Sequence, residues 1–216
     1  MPIIQGIAAV GFDLDGTLYS SNEEINNRIR IEISKRILAK KPYLGGIEEA
    51  RRYFEDRHTV LQSGTKVLKE AGFDDSNLVM DDCLAKADVL DLINYDGELV
   101  DILNKLSQVY QIYLVTNSPR ELGEKKLERL GINPRVFNPI VYSDNIRGSK
   151  QDGAVFRYVL IATQIPANKH VYVGDRKNSD ILPAKALGIK TIAVGSVIKE
   201  ADFSIQSIHE IRRLLL

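Results

Sequence analysis

The stretch IAAVGFDLDGT, residues 7–17, sets two carboxylates one residue apart directly after a short apolar run. Residues 7–12 are apolar without alternation, which is the pattern of a strand covered on both faces. A turn after such a strand needs one Asp or one Gly. Here Asp13, Asp15, Gly16 and Thr17 follow in close order. A strand that ends in charge at this density asks for a chemical reason.

Further runs of the same kind recur along the chain: QIYLVT (111–116), HVYVG (170–174) and KTIAV (190–194). Amphipathic segments lie between them. Ser118, Pro119 and Glu121 read as a capping box with proline in the first helical turn, and Gly131 closes that helix after KKLERL. A second helix is predicted over 152–164 and a third over 179–187, and a last one is capped by Ser207 and Glu210. Strand–helix alternation of this kind predicts an α/β fold, a doubly wound, Rossmann-like parallel sheet.

Residues 19–93 break the alternation. They read as helix after helix, punctuated by Pro42 and Gly45-Gly46. The expected organisation is therefore a core of residues 1–18 and 94–216 with an inserted all-helical domain at 19–93. NYDGEL (94–99) is the hinge that returns the chain to the core.

Composition excludes several classes. Of 216 residues, 44% are hydrophobic, enough for a sizeable buried core. Lys plus Arg and Asp plus Glu number 29 each, so no excess charge points to nucleic acid or an anionic membrane. No apolar run reaches the roughly 20 residues of a membrane span. The opening residues, which meet Asp13 early, do not read as a secretory leader. The single cysteine, Cys83, is read as a small buried residue and fits a reducing compartment. A cytoplasmic protein, monomeric or homodimeric, is expected.

In open α/β sheets ligands collect at the carboxyl ends of strands. Asp13 and Asp15, Thr116 and Asn117, and Asp175 all sit at such ends, with Asp180 five residues beyond Asp175 and Lys150 before the 152–164 helix. Four carboxylates in one crevice repel, and Lys150 alone does not neutralise them; a divalent cation does. Candidate ligands Asp13, Asp15, Asp175 and Asp180 are all hard oxygen donors, which favours Mg²⁺ and, with it, a phosphorylated substrate. Asp13, fixed at the strand terminus, is the expected nucleophile, and Asp15 the group that protonates the leaving oxygen and later deprotonates water. Thr116, Asn117 and Lys150 are expected to hold the phosphoryl oxygens.

FDLDGTLY, VTNS, the following lysine and VGDRKNSDI resemble, in order and spacing, the four motifs of the haloacid dehalogenase-like (HAD) hydrolase superfamily. The resemblance covers residues 7–18 and 96–205. It implies a phosphoryl-aspartate mechanism on Asp13, with Asp15 as acid/base and metal ligand through its backbone carbonyl, Asp175 as metal ligand and Asp180 as its support. The helical insert resembles that family's first type of cap, a lid over the substrate. Where family members often carry Lys-Pro-x-Pro, this chain has Lys150-Gln151-Asp152-Gly153, and Lys177 is the alternative to Lys150. The expected activity is a Mg²⁺-dependent phosphomonoesterase acting on a small phosphorylated metabolite. A sugar phosphomutase with the same aspartyl intermediate, and a non-turnover phospho-aspartate signalling domain, are the alternatives.

Other polar and aromatic residues have plainer explanations. Helix capping accounts for Ser118. His58, His170 and His209 lack spaced partners, and Tyr43, Tyr53 and Phe54 are expected to pack the core of the insert.

Overall fold

A computed structural model describes residues 3–146 and 148–216. Six strands, β1 (Ala9–Phe12), β2 (Gln111–Val115), β3 (Ile140–Val141), β4 (His170–Gly174), β5 (Lys190–Val194) and β6 (Phe203–Ile205), form one sheet in the order β3-β2-β1-β4-β5-β6. Every pairing is parallel. The expected doubly wound α/β sheet is present.

The order explains where a site can form. From β1 the chain proceeds to β2 on one side and later to β4 on the other, so the connections diverge on the two sides of β1. Their carboxyl ends then leave a crevice that no crossover fills. All four residues of β1 are buried, as are all five of β4. Tyr113, Val115 and Tyr172 of the sheet pack with Val155, Phe156 and Val159 of a covering helix in one apolar cluster.

The helices are α1 (Glu23–Lys40), α2 (Ile47–Leu61), α3 (Gly64–Glu70), α4 (Ser76–Lys86), α5 (Gly97–Val109), α6 (Arg120–Leu130), α7 (Ala154–Thr163), α8 (Leu182–Ala186) and α9 (Ile211–Leu215). The chain divides into two compact units, Met1–Ser21 with Ile93–Leu216, and Asn22–Leu92. The second unit is helical, with its own core of Ile33, Ile37, Phe54, Val67, Leu68 and Cys83. Asn22 starts it by accepting the Ile25 N–H at 2.8 Å, a side-chain N-cap. In the first unit Asp96 does the same for α5 through Leu99 N–H at 2.9 Å. Among the described residues no helix is long and apolar enough to cross a membrane.

The structure differs from the sequence reading in several places. β1 starts at Ala9, because Ile7 and Ala8 lie before its first ladder pair. β3 and β6 are too short, at two and three residues, to register as periodic runs. The helix expected over 152–164 begins at Ala154, after Gly153 in the left-handed region. The one expected over 179–187 is a π-helical turn, Lys177–Ile181, running into the short α8. Tyr43 is 77% exposed, so it packs no core.

Candidate active site

Asp13 leaves β1 with its N–H donated to Val173 O at 2.9 Å, so the ladder with β4 holds the backbone of this residue one step beyond the strand. Its carboxylate is buried. Lys150, itself buried, donates to Asp13 Oδ1 at 2.5 Å and to Asp180 Oδ1 at 2.9 Å. Lys177 instead lies on the surface, paired with Glu200. The Lys150 loop is stiffened without prolines: Asp152 accepts the Ser149 N–H and hydroxyl and the Ala154 N–H, the last at 2.8 Å.

Asp175 and Asp180 reach the crevice from the segment after β4. Asp180 is wholly buried because the π-helical turn folds it back under the strand end; it accepts the Arg176 N–H at 3.0 Å. A Cβ on Gly174 would fall 2.4 Å from the Cβ of Asp180, so only glycine permits that return. Gly16, at φ +82°, brings the loop after β1 against Asp175; a Cβ there would fall 2.5 Å from Asp175 Oδ2.

Oxygens of Asp13, Asp175 and Asp180 lie within 4.8 Å of one another. The electrostatics match that crowding. Burial raises the pKa of Asp13 well above the usual carboxylate range; Lys150 opposes this, while Asp180, Asp175 and Asp15 add to it. Asp175 is also raised, first by burial, against the pull of Arg176. Asp175 Oδ1 is buried with no hydrogen-bond partner, an orphaned acceptor that ordinarily costs on the order of 1–3 kcal/mol. A cation among the three carboxylates would satisfy it, and a donor set of oxygens alone suits a hard ion.

Asp15 stands apart from that trio. Its carboxylate accepts from Tyr19 Oη at 2.5 Å, Thr116 Oγ1 at 3.2 Å, Ser118 Oγ at 3.0 Å and the ammonium of Lys126. Burial works to raise its pKa, but the charge and hydrogen bond of Lys126, together with the hydroxyls of Tyr19 and Ser118, hold it far below the ordinary range. The same contacts, after burial, drive the Tyr19 hydroxyl strongly upward.

Among the expected residues, the structure thus brings Asp13, Asp175, Asp180 and Lys150 together and gives Asp15 a cradle of its own. Thr116, at the end of β2, turns its hydroxyl to Asp15 and accepts the Ser118 N–H at 3.0 Å. Asn117 is exposed beside it. Ser118 is not a cap: α6 begins after Pro119 with no side-chain cap, and the carboxylate of Asp144 takes the Arg120 N–H instead. Sequence reasoning missed Tyr19, Ser118 and Lys126. Lys126 left one trace, since it falls on the stripe of Leu122 and Leu130 at spacings of four residues, where a lysine has no reason to be unless paired.

Comparison with known proteins gives the family of the chain. The sequence profile of the haloacid dehalogenase-like hydrolases matches residues 10–194. The chain is 29% identical over 206 residues to the glyceraldehyde 3-phosphate phosphatase of Methanocaldococcus jannaschii, covering 87% of this chain and 85% of that protein. It is 30% identical over 196 residues to a phosphoglycolate phosphatase of Pseudomonas fluorescens, covering 86% of this chain and 68% of that one. In fold it resembles a HAD phosphatase from Thermococcus onnurineus, with a TM-score of 0.68, 20% identity and coverage of 97% and 98%. The profile match, spanning all the strands that carry the site, places this chain in the haloacid dehalogenase-like hydrolase family, as an enzyme of its phosphatase branch.

Proposed function

We propose that this enzyme is a Mg²⁺-dependent phosphomonoesterase that hydrolyses a small phosphorylated metabolite through a phosphoryl group carried transiently on Asp13, with the helical unit as its lid. The observation that carries the reading is the convergence of Asp13, Asp175 and Asp180 around the partnerless Asp175 Oδ1, with Lys150 bonded to Asp13 itself. The named relatives support it, since glyceraldehyde 3-phosphate and phosphoglycolate are both small phosphomonoesters.

Asp13, Asp175 and Asp180, with the backbone carbonyl of Asp15, would hold the ion. Bound there, Mg²⁺ would supply positive charge against the phosphoryl oxygens and offset the repulsion among the carboxylates. The remaining roles fall to the protein. An Asp13 oxygen attacks phosphorus while the ester P–O bond breaks, its electron pair leaving with the alcohol oxygen. Lys150 offsets the charge of the phosphoryl oxygens. Asp15 handles the proton: the one lent to the leaving oxygen is recovered from the water that hydrolyses the acyl phosphate. Lys126 biases Asp15 to its ionised form, which suits the second half of this cycle better than the first. Monoester hydrolysis is slow enough unaided that such a site supplies on the order of 20 kcal/mol.

The test is release of p-nitrophenol from p-nitrophenyl phosphate with Mg²⁺, alongside trapping of the phosphoprotein by acid quench and intact-mass measurement. Turnover with an added phosphoryl mass on Asp13 is expected. Substantial turnover by Asp13→Asn would overturn the role given to Asp13.

A further inference from the structure

Of the basic side chains around the crevice, three are already committed. Lys150 is held by Asp13 and Asp180, Lys126 by Asp15 and Ser118, and Lys177 by Glu200. Arg176 is different. Its backbone is pinned on both sides, the N–H on Asp180 Oδ2 and the carbonyl accepting from Asp180 and Ile181 at 2.9 and 3.2 Å. Its side chain is 60% exposed and comes no closer than 3.7 Å to a carboxylate, that of Asp175, which is outside hydrogen-bonding range.

The guanidinium nonetheless lies in the field of the site. Partial desolvation works against its charge, and Asp175, Asp13, Asp180 and Asp15 more than restore it, so its pKa is raised. Tyr19, bonded to Asp15, feels the same guanidinium. Arg176 therefore borders the metal-type cluster, 3.7 Å from Asp175 and tied by its own backbone to Asp180. Arg120, past the end of β2, also lacks a carboxylate within hydrogen-bonding range, but it lies over the ring of Tyr142 and 3.8 Å from Glu124, whereas the Arg176 fork stands beside Asp175 of the acidic cluster and has no hydrogen-bond partner among the described residues. Such a fork matches a carboxylate or a phosphoryl group in bidentate fashion, which an ammonium does not.

Resting on the phosphatase reading above, we propose that Arg176 is a specificity residue that binds a second anionic group on the substrate, and that the enzyme's substrate class is small phosphomonoesters bearing such a group close to the phosphoryl. Recognition of the substrate is then placed partly on the sheet unit and not only on the helical insert.

The experiment compares kcat/KM for phosphoglycolate, for 1,2-ethanediol bisphosphate and for 2-hydroxyethyl phosphate, whose far end is neutral, in the wild type and in Arg176→Gln and Arg176→Lys. A charge-assisted pair is expected to favour at least one of the two compounds that carry a second anionic group over 2-hydroxyethyl phosphate by about 10- to 100-fold. Whether carboxylate or phosphoryl is read follows from which of them is favoured. In Arg176→Gln that ratio falls to within about threefold, and Arg176→Lys retains part of it. Thermal melts of both variants, substituted at an exposed position, establish that they fold. An active enzyme that shows no such preference, or keeps it in Arg176→Gln, overturns the assignment of Arg176 alone. A protein that hydrolyses none of these compounds, nor p-nitrophenyl phosphate, overturns the phosphatase reading and this one with it.

Discussion

The ammonium of Lys126 and the carboxylate of Asp15 form an ion pair across 111 residues of sequence, and Ser118 Oγ sits between them, accepting from one at 2.8 Å and donating to the other at 3.0 Å. Lys126 is 2% exposed and Asp15 28%. Removing the lysine leaves a mostly buried carboxylate with hydroxyl donors only. Lys126→Met is expected to cost roughly 3 kcal/mol of folding stability, and Ser118→Ala about 1 kcal/mol, both measured by urea unfolding. If Lys126→Met unfolds like the wild type, the pair contributes nothing to the fold.

Gly16 and Gly45 separate two effects. Both have positive φ, +82° and +88°, but an added Cβ meets Asp175 at the first and nothing within 4 Å at the second. Gly45→Ala is expected to cost about 1 kcal/mol, from backbone conformation alone. Gly16→Ala should cost more than that and also displace Asp175, lowering both turnover and Mg²⁺ affinity. Equal effects of the two substitutions on melting temperature and on Mg²⁺ titration would show that the approach of residue 16 to Asp175 is unimportant.

Chelation should make stability depend on pH in a definite sense. A carboxyl whose folded pKa is raised stabilises the fold most below its unfolded pKa, near 4, and that contribution is lost as pH rises through the folded value. Asp13 and Asp175 are raised. With chelator, the melting temperature should therefore fall as pH rises above about 4, and Mg²⁺ should restore it most where both carboxyls are ionised. Asp15 is lowered, so its contribution has the opposite sign: present above about pH 4 and lost on further acidification. Scanning calorimetry with and without Mg²⁺ measures both limbs. A melting temperature indifferent to Mg²⁺ at pH 8 would argue against a cation among these carboxylates.

Lys150 touches two of the three clustered acids. Lys150→Met should lower kcat/KM on p-nitrophenyl phosphate by on the order of 10²- to 10³-fold, while Lys177→Met, which loses only a surface pair with Glu200, should change it little. A comparable loss in both variants would deny Lys150 its special place.

The sheet and the residues at its strand ends were legible because they obey local rules. Buried parallel strands are continuous apolar runs, and polar residues at their carboxyl ends stand out against them, as Asp13, Thr116 and Asp175 do. The cradle of Asp15 was not legible in the same way. Tyr19, Ser118 and Lys126 act through tertiary contact, and each has an ordinary local explanation: a residue at a strand–helix boundary, a helix cap, a charge in a helix rich in charges. The stripe position of Lys126 was the one visible conflict between pattern and chemistry. Asp152 had a similar double meaning. As a helix-start acid it was unremarked, yet it ties down the loop that carries Lys150.

The position of β1 in the sheet has a consequence for how the protein is made. The strand that carries Asp13 is synthesised before both of its neighbours in the sheet, β2 and β4, the second of which ends at Gly174. Residues 22–92 close on themselves, with a core drawn from one contiguous segment. During synthesis the helical unit can therefore acquire its structure while β1 still waits for both neighbours, and Asp13 meets Asp180 only after β4 and the turn that follows it have emerged. Nascent chains arrested before β4 should hold a protease-resistant helical fragment and no chemistry.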